Sequence, residues 1–245
     1  MAVRAESSPR VRVGEEILVV LSLSLLESAA FALISLLEAP VDRGVVVATF
    51  PSFDLARQVV SIGFGLAPVW LVLYLVRRPG EGGLTSIGID GRRPGPDLAW
   101  GVALAAAIGA AGIGLYVAAV NLGMNRLVVP VPPLGHWWTF PVLILGSAQN
   151  ALLEEVVVVG YLVTRLERMR VAPWGAVAVS SVLRGAYHLY QGWGGFVGNL
   201  AMGLVLATFF LRTRRTWPLV TAHFLLDVGA GTLYVAACPG LEPFC

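Results

Sequence analysis

The chain has 245 residues, of which 57% are hydrophobic and only 13% are charged, and its formal net charge is +2. A soluble domain carries about 25% charged residues, so this composition argues against an ordinary soluble protein and predicts one that resides in a membrane. A net charge this small gives no reason to expect nucleic acid as a partner.

Seven apolar segments follow one another along the chain, each close to the length of about 20 residues that crosses a bilayer as a helix. They predict an all-α fold, a polytopic transmembrane helix bundle of about seven spans. The segments run approximately over residues 16–37, 55–76, 98–121, 139–164, 173–190, 195–211 and 217–237.

Arginine residues are concentrated in alternate loops of this arrangement. They precede the first segment and follow the second, the fourth and the sixth, whereas the intervening loops carry only Arg43 and Arg126. Because cytoplasmic loops of membrane proteins carry an excess of Lys and Arg, the N-terminus is predicted to be cytoplasmic. We therefore expect a multi-pass integral protein of the plasma (cytoplasmic) membrane, surrounded by the lipid bilayer.

The two cysteines, Cys238 and Cys245, lie near the C-terminus and lack a metal-type spacing such as CxxC. A disulfide between them and two free thiols are both compatible with this position. The sequence does not define an oligomeric state.

Three of the apolar segments each contain two ionisable side chains in their interior, where a charge costs several kcal/mol. Such groups predict a functional site rather than a packing role. The fourth, fifth and seventh segments contain, in that order, Glu154 and Glu155, Arg184 and His188, and His223 and Asp227.

Helical spacing decides which of these side chains share a face. In the fifth and seventh segments the two polar residues are four positions apart and therefore lie on one face. Glu154 and Glu155 are consecutive and about 100° apart, so we expect them not to point at the same neighbour. Three helices can thus direct acids and imidazoles into a common pocket.

Acids and imidazoles that converge in an apolar setting are typical of hydrolysis. A carboxylate can act as a general base toward water, and a neighbouring histidine can share the proton. A second histidine or acid can stabilise the developing oxyanion. The pattern predicts hydrolysis, most simply of a peptide bond in a peptide or protein substrate presented at the membrane.

Zinc-dependent hydrolysis is a competing mechanism for the same residues. Two histidines and a carboxylate can bind zinc, and His188, His223 and Glu154 would supply that set. The sequence contains no HExxH helix. We therefore favour a site without a cofactor.

Three stretches resemble the motifs of the CPBP group of intramembrane endopeptidases, which includes CAAX prenyl endopeptidases and bacteriocin-processing and immunity proteins. These stretches are EEVVVVGYL, YHLYQG and HFLLD, in the family's order, within about residues 149–230. The resemblance implies a type II CAAX prenyl endopeptidase-like enzyme that uses glutamate-activated water and requires no metal. We expect N-terminal transmembrane helices and a cytoplasmic loop in 1–130 and a catalytic helix bundle in 137–237, together forming one integral unit.

The family's motifs are EExxxR, FxxxH and HxxxN or HxxxD, and they suggest roles for the matching positions. Glu154 is similar to the catalytic glutamate that activates water, and Glu155 to its structural partner. His188 resembles the histidine that works with this glutamate on the water. His223 and Asp227 resemble the pair that stabilises the oxyanion.

Two positions depart from the family pattern: Val159 replaces the arginine of the first motif and Arg184 replaces the phenylalanine of the second. At 1.5 Å per residue, Arg184 lies ~16 Å along its helix, nearly level with Glu155. Because an unpaired arginine there would be costly, we hypothesise an Arg184–Glu155 ion pair.

The same departures leave a non-catalytic alternative open, namely an altered membrane scaffold or a bacteriocin-immunity-type protein that binds a partner. A Glu154→Gln substitution separates the two hypotheses. An enzyme would lose turnover, whereas a scaffold would keep partner binding.

Overall fold

A computed structural model describes residues 9–23, 25, 28–29, 45–47, 55–124, 127–129, 134 and 136–237. These residues are helical apart from turns, loops and one short parallel pairing, in which β1 (Val45–Val47) lies beside β2 (Leu127–Val129). Cys238 and Cys245 lie outside the described residues.

The helices of the described residues are joined by turns and loops, including the loop of residues 77–93. Proline residues occupy the first turn of several of them, where a missing N–H costs no intrahelical hydrogen bond. In chain order the helices are α1 (Pro9–Ser22), α2 (Leu55–Gly65), α3 (Ala67–Val76), α4 (Pro94–Asn121), α5 (Thr139–Arg168), α6 (Pro173–Tyr187), α7 (Trp193–Thr213) and α8 (Trp217–Ala237).

Four of these helices, α4, α5, α7 and α8, are long and apolar enough to cross a membrane. The all-α class and an integral membrane protein are therefore confirmed. The segment 55–76 forms two helices, and α6 has 15 residues, or about 22 Å against a hydrocarbon core of about 30 Å. Part of segment 16–37 lies outside the described residues. The count of seven spans and the side of the N-terminus stay predictions, as does the division of the chain into 1–130 and 137–237.

Helix α5 is the centre of the bundle. In its most apolar stretch 56% of the residues are buried, against 6% in α4, which lies at the periphery. The middle of α5 is a π-helix, Leu153–Tyr161, between two α-helical stretches. Valines 156–158 pack against α1 and α3, whereas Val159 packs against α6, α7 and α8. This segment therefore lies in the core of the molecule, surrounded by other helices.

Helices α6 and α7 approach each other closely because glycines line their contact. A Cβ added at Gly203 would lie 2.9 Å from the Cα atom of Ser181, and one added at Gly185 would lie 3.0 Å from the backbone oxygen of Phe196. Small residues are what allow two membrane helices to pack at this distance. The contact fixes the position of the end of α6, where Arg184 lies.

The loop between α3 and α4 is attached to the end of α5 by ion pairs. Glu81 in this loop contacts both Arg165 and Arg168. Burial alone would raise the pKa of the Glu81 carboxyl, but the two guanidinium groups outweigh it and hold this pKa below its ordinary value. The ionised carboxylate therefore favours the attached loop.

A second attachment joins the same loop to the start of α8. The guanidinium of Arg215 donates hydrogen bonds to Asp97 at 2.5 Å and to Asp90 at 3.1 Å. The backbone N–H of Arg92 donates to Asp90 at 2.9 Å. This backbone hydrogen bond, followed by those from Arg215, lowers the pKa of Asp90 from its ordinary value. Both attachments hold the loop against the end of the bundle.

Candidate active site

Five of the six polar residues singled out in the sequence are linked by direct side-chain contacts between α5, α6 and α8, and the sixth, His188, lies beside them at the end of α6. The π-helical part of α5 carries the two glutamates, α6 ends in a turn that carries Arg184 with His188 as its C-cap, and the middle of α8 carries His223 and Asp227. The contacts among them involve hydrogen bonds and ion pairs at 2.5 to 3.5 Å. The convergence expected of the three helices is thus present.

Glu155 is the most enclosed member of the cluster, with no exposed surface. Its Oε1 atom accepts a hydrogen bond from Nη2 of Arg184 at 2.5 Å and another from Nδ1 of His223 at 2.8 Å. Its Oε2 atom is buried and has no donor among the described residues. Glu155 therefore joins side chains of two other helices through a single oxygen.

Glu154 is buried but retains some accessible surface. Its Oε2 atom accepts a hydrogen bond from the hydroxyl of Tyr187 at 2.8 Å. The Nη1 atom of Arg184 lies 3.2 Å from the same oxygen, as an ion pair rather than a well-directed hydrogen bond. Both contacts fall on Oε2, and no donor in the described part of the chain contacts Oε1.

The expectation that the two glutamates point at different neighbours is wrong, because both contact Arg184. That expectation used the angle of about 100° between consecutive residues of an α-helix. Here the glutamates lie in a π-helix, whose i→i+5 hydrogen bonds make a wider turn and reduce the angle between neighbours. The two nitrogens of the guanidinium fork then reach one carboxylate each.

Arg184 supplies the guanidinium that the first motif lacks. It has no exposed surface and lies within 2.5 Å of Glu155, which is the ion pair expected from the two departures from the family pattern. Val159, at the family's arginine position, instead packs with apolar side chains on the other side of α5. The positive charge therefore comes from the helix that also carries His188.

The hydrogen bonds of His188 define the state of its ring. Its Nδ1 atom lies 2.9 Å from the backbone oxygen of Arg184. A carbonyl oxygen only accepts, so Nδ1 carries the proton and a neutral ring leaves Nε2 as an acceptor. The ring lies between Tyr187, whose ring is tilted by 40° against it, and Tyr190, whose ring stacks on it. Such a nitrogen can receive a proton from water.

His223 has a different environment, because a carboxylate faces each of its ring nitrogens. Nδ1 lies 2.8 Å from Glu155 and Nε2 lies 3.5 Å from Asp227 on the following turn of α8. Ionised carboxylates only accept hydrogen bonds, so a ring that carries both protons satisfies both neighbours. A protonated His223 can donate to a developing negative charge.

A metal ion fits these residues poorly. Ligand atoms of Glu154, Glu155 and His223 lie within 4.8 Å of one another, which is close enough to hold a cation. However, the guanidinium of Arg184 already lies between the two carboxylates. A divalent ion at that position would be repelled by this charge at short range. The set His188, His223 and Glu154 considered for zinc is a different combination from the one that the structure brings together.

Tyr187 is a member of the site to which the motif analysis assigned no role, although it begins the stretch YHLYQG. It is buried, it precedes His188, and its hydroxyl contacts Glu154. The signal lay in its residue type, because a buried tyrosine within an apolar helix usually needs a partner for its hydroxyl. Sequence spacing alone could not identify that partner, which lies on another helix.

The fold and the site define a membrane-embedded helix bundle with an acid and histidine cluster at its centre. A family model described as type II CAAX prenyl endopeptidase Rce1-like matches residues 136–229, a range that contains all three motifs. This match covers 94 of the 245 residues, agrees with the resemblance drawn from the motifs and supports a peptide hydrolase. The comparisons with curated proteins and with solved structures gave no match.

Proposed function

We propose that the protein is an intramembrane glutamate-type endopeptidase, which hydrolyses a peptide bond of a membrane-associated protein or peptide. The observation that best supports this proposal is the environment of Glu154. Its carboxylate is buried, one oxygen accepts a hydrogen bond from Tyr187 and forms an ion pair with Arg184, and the other has no donor among the described residues. A general base needs such an oxygen within reach of the proton it removes.

In the proposed reaction, Oε1 of Glu154 removes a proton from a water molecule whose oxygen bonds to the carbonyl carbon of the scissile peptide. The carbonyl electron pair moves onto its oxygen and gives a tetrahedral oxyanion. His188 assists by accepting a hydrogen bond from the same water at Nε2. When the carbonyl re-forms, the C–N bond breaks and the proton held by Glu154 passes to the leaving nitrogen.

The pair of His223 and Asp227 is proposed to stabilise the oxyanion, with His223 as the donor and Asp227 as the carboxylate that keeps the imidazole protonated, while Glu155 has a structural part. The contact of His223 with Glu155 fixes the orientation of the imidazole. Fixed donors aimed at the developing charge cost no reorganisation during the reaction, and removing one typically lowers kcat by about 10² to 10³. Glu155 also balances the charge of Arg184.

The proposed setting is a bundle of about seven spans in the plasma membrane, with the N-terminus in the cytoplasm. The substrate would enter from the cytoplasmic leaflet. The description of the matched family names CAAX prenyl endopeptidases. As the substrate of this chain we propose only the wider class of membrane-associated proteins and peptides. No cofactor takes part in the proposed reaction.

The test uses the full-length protein and its Glu154→Gln variant, each expressed in a strain that lacks the wild-type chain. Protein C-termini and new N-termini are then compared across the two proteomes by mass spectrometry. Glu167→Gln is the matched control, since it makes the same chemical change on the same helix, in an ion pair with Arg214 outside the site.

The proposal expects termini that are present with the wild type and with Glu167→Gln and absent with Glu154→Gln, at equal protein levels. Identical sets of termini in all three strains would exclude the endopeptidase. Retained binding of a co-purifying partner by Glu154→Gln in that case would favour the scaffold.

A further inference from the structure

We infer that Tyr187 is a positioning residue, which holds Oε2 of Glu154 and thereby selects Oε1 as the oxygen that removes the proton from water. This inference rests on the proposed function and extends it to a residue to which the three motifs assign no role. It starts from the single hydrogen bond of the Tyr187 hydroxyl, 2.8 Å long, to Oε2.

The two oxygens of Glu154 have unequal surroundings. Oε2 accepts from the Tyr187 hydroxyl and lies 3.2 Å from the guanidinium of Arg184. Oε1 has no donor among the described residues, and it is not fully enclosed by protein atoms. The carboxylate is thus held at one oxygen and accessible at the other, as a base with a defined direction requires.

Tyr187 is well placed to act through Glu154 because its own position is fixed. It is the last residue of α6, and only 6% of its surface is exposed. The centroid of its ring lies 4.8 Å from that of His188. The residue that holds the base is therefore next in the chain to the proposed assisting histidine. A shift of this turn of α6 would move both groups together.

The hydroxyl also favours the ionised form of Glu154, since hydrogen bonds donated to a carboxylate stabilise its charge. Removing the hydroxyl should keep Glu154 protonated, and therefore inactive as a base, up to a higher pH. Hydrogen bonds to charged groups are strong enough for an effect of about one pH unit and about tenfold in kcat at acidic pH.

The experiment uses full-length protein in lipid nanodiscs. The substrate is a peptide that spans a cleavage site found by the proposed comparison of protein termini. We compare Tyr187→Phe, which keeps the ring, with Tyr190→Phe, whose hydroxyl accepts a hydrogen bond from Gln191 and does not contact Glu154. Tyr187→Phe should raise the acid midpoint of the kcat profile by about one pH unit and lower kcat below it about tenfold, while KM changes less than about twofold. Tyr190→Phe should follow the wild type.

An acid midpoint in Tyr187→Phe equal to that of the wild type would overturn the inference and leave the endopeptidase intact. Wild-type activity that survives Glu154→Gln would instead overturn the proposed function. Infrared difference spectra decide the contact itself: the carboxylate band that disappears in Glu154→Gln should shift in Tyr187→Phe and not in Tyr190→Phe. If Tyr187→Phe does not fold, 3-fluorotyrosine at position 187 provides a stronger donor, which must shift this band the opposite way; an unshifted band overturns the inference.

Discussion

Replacement of Arg184 by methionine is the perturbation that tests the charge balance of the cluster most severely. Methionine has a similar length and no charge, so the substitution keeps much of the packing and removes the cation that lies 2.5 Å from Glu155 and 3.2 Å from Glu154. Two carboxylates then share a buried site without their guanidinium. We expect the free energy of unfolding to fall by about 3 to 5 kcal/mol, the cost of breaking a buried ion pair by removing one partner.

The assay is reversible unfolding of the purified protein in mixed micelles at pH 7, followed by tryptophan fluorescence. Arg214→Met is the matched control, because Arg214 forms its ion pair with Glu167 at 2.5 Å but its side chain is 49% exposed. An exposed pair of this kind contributes about 0 to 1 kcal/mol. The difference between the two variants isolates the effect of burial.

A double-mutant cycle separates the charge effect from lost packing. Glu155→Gln alone leaves Arg184 without its nearest carboxylate, and combining it with Arg184→Met removes both charges together. We expect the double variant to be more stable than the sum of the single losses by about 1 to 3 kcal/mol. A coupling near zero, or an Arg184→Met variant as stable as Arg214→Met, would refute the proposed balance of charges.

Three further predictions concern helix packing, the loop and metal. Gly203→Ala should lower Tm and turnover, measured by thermal unfolding and peptide cleavage, because the added Cβ would lie 2.9 Å from the Cα atom of Ser181. Gly114→Ala should change neither quantity, because no atom lies within 4 Å of the added Cβ. Because the pKa of Asp90 is lowered in the folded protein, its ionised carboxylate stabilises the attached loop at pH values above the ordinary aspartate pKa, and this stabilisation is lost as the pH falls through the lower folded-state pKa. Limited proteolysis of loop 77–93 should therefore accelerate on acidification. In the Asp90→Asn variant this loop should already be cleaved faster at pH 7. Chelator treatment should leave peptide cleavage unchanged, since Arg184 supplies the cation of the site, and a loss of activity that zinc restores would contradict this.

Composition and motif order predicted the class of the protein and the helices that carry its site. Apolar segments with few charges have few alternatives to membrane helices, and polar groups at bilayer depth must face one another. For the same reason the partner of Arg184 could be anticipated, because an arginine in that position needs a carboxylate at similar depth. These conclusions depend on composition and spacing, which the sequence contains directly.

The finer geometry depended on features that spacing does not encode. The sequence analysis used ideal α-helical angles, so it could not anticipate that a π-helix would bring Glu154 and Glu155 to one guanidinium. The contact between Tyr187 and Glu154 joins residues 33 positions apart on different helices. It depends on how α5 and α6 are rotated about their axes, which is set by tertiary packing.

The attachment of the loop also required the structure. In the sequence, residues 77–93 are rich in glycine and charged residues, but nothing indicates which arginines pair with the acids of this loop. In the structure Glu81 is joined to Arg165 and Arg168 on the helix that carries the glutamates. The loop therefore contacts the same helix as the site, at arginines that lie on the C-terminal side of Glu154 and Glu155.

The central claim is that side chains from three helices surround one reactive water within the membrane. The most direct test is an experimental structure of the wild-type protein in lipid nanodiscs, at a resolution that resolves ordered water. We predict a water molecule at about 2.6 to 3.2 Å from Oε1 of Glu154 and within reach of the Nε2 atom of His188. A Glu154 carboxylate directed at the lipid chains, or more than about 10 Å from the rings of both His188 and His223, would be far beyond proton-transfer distance and would contradict the claim.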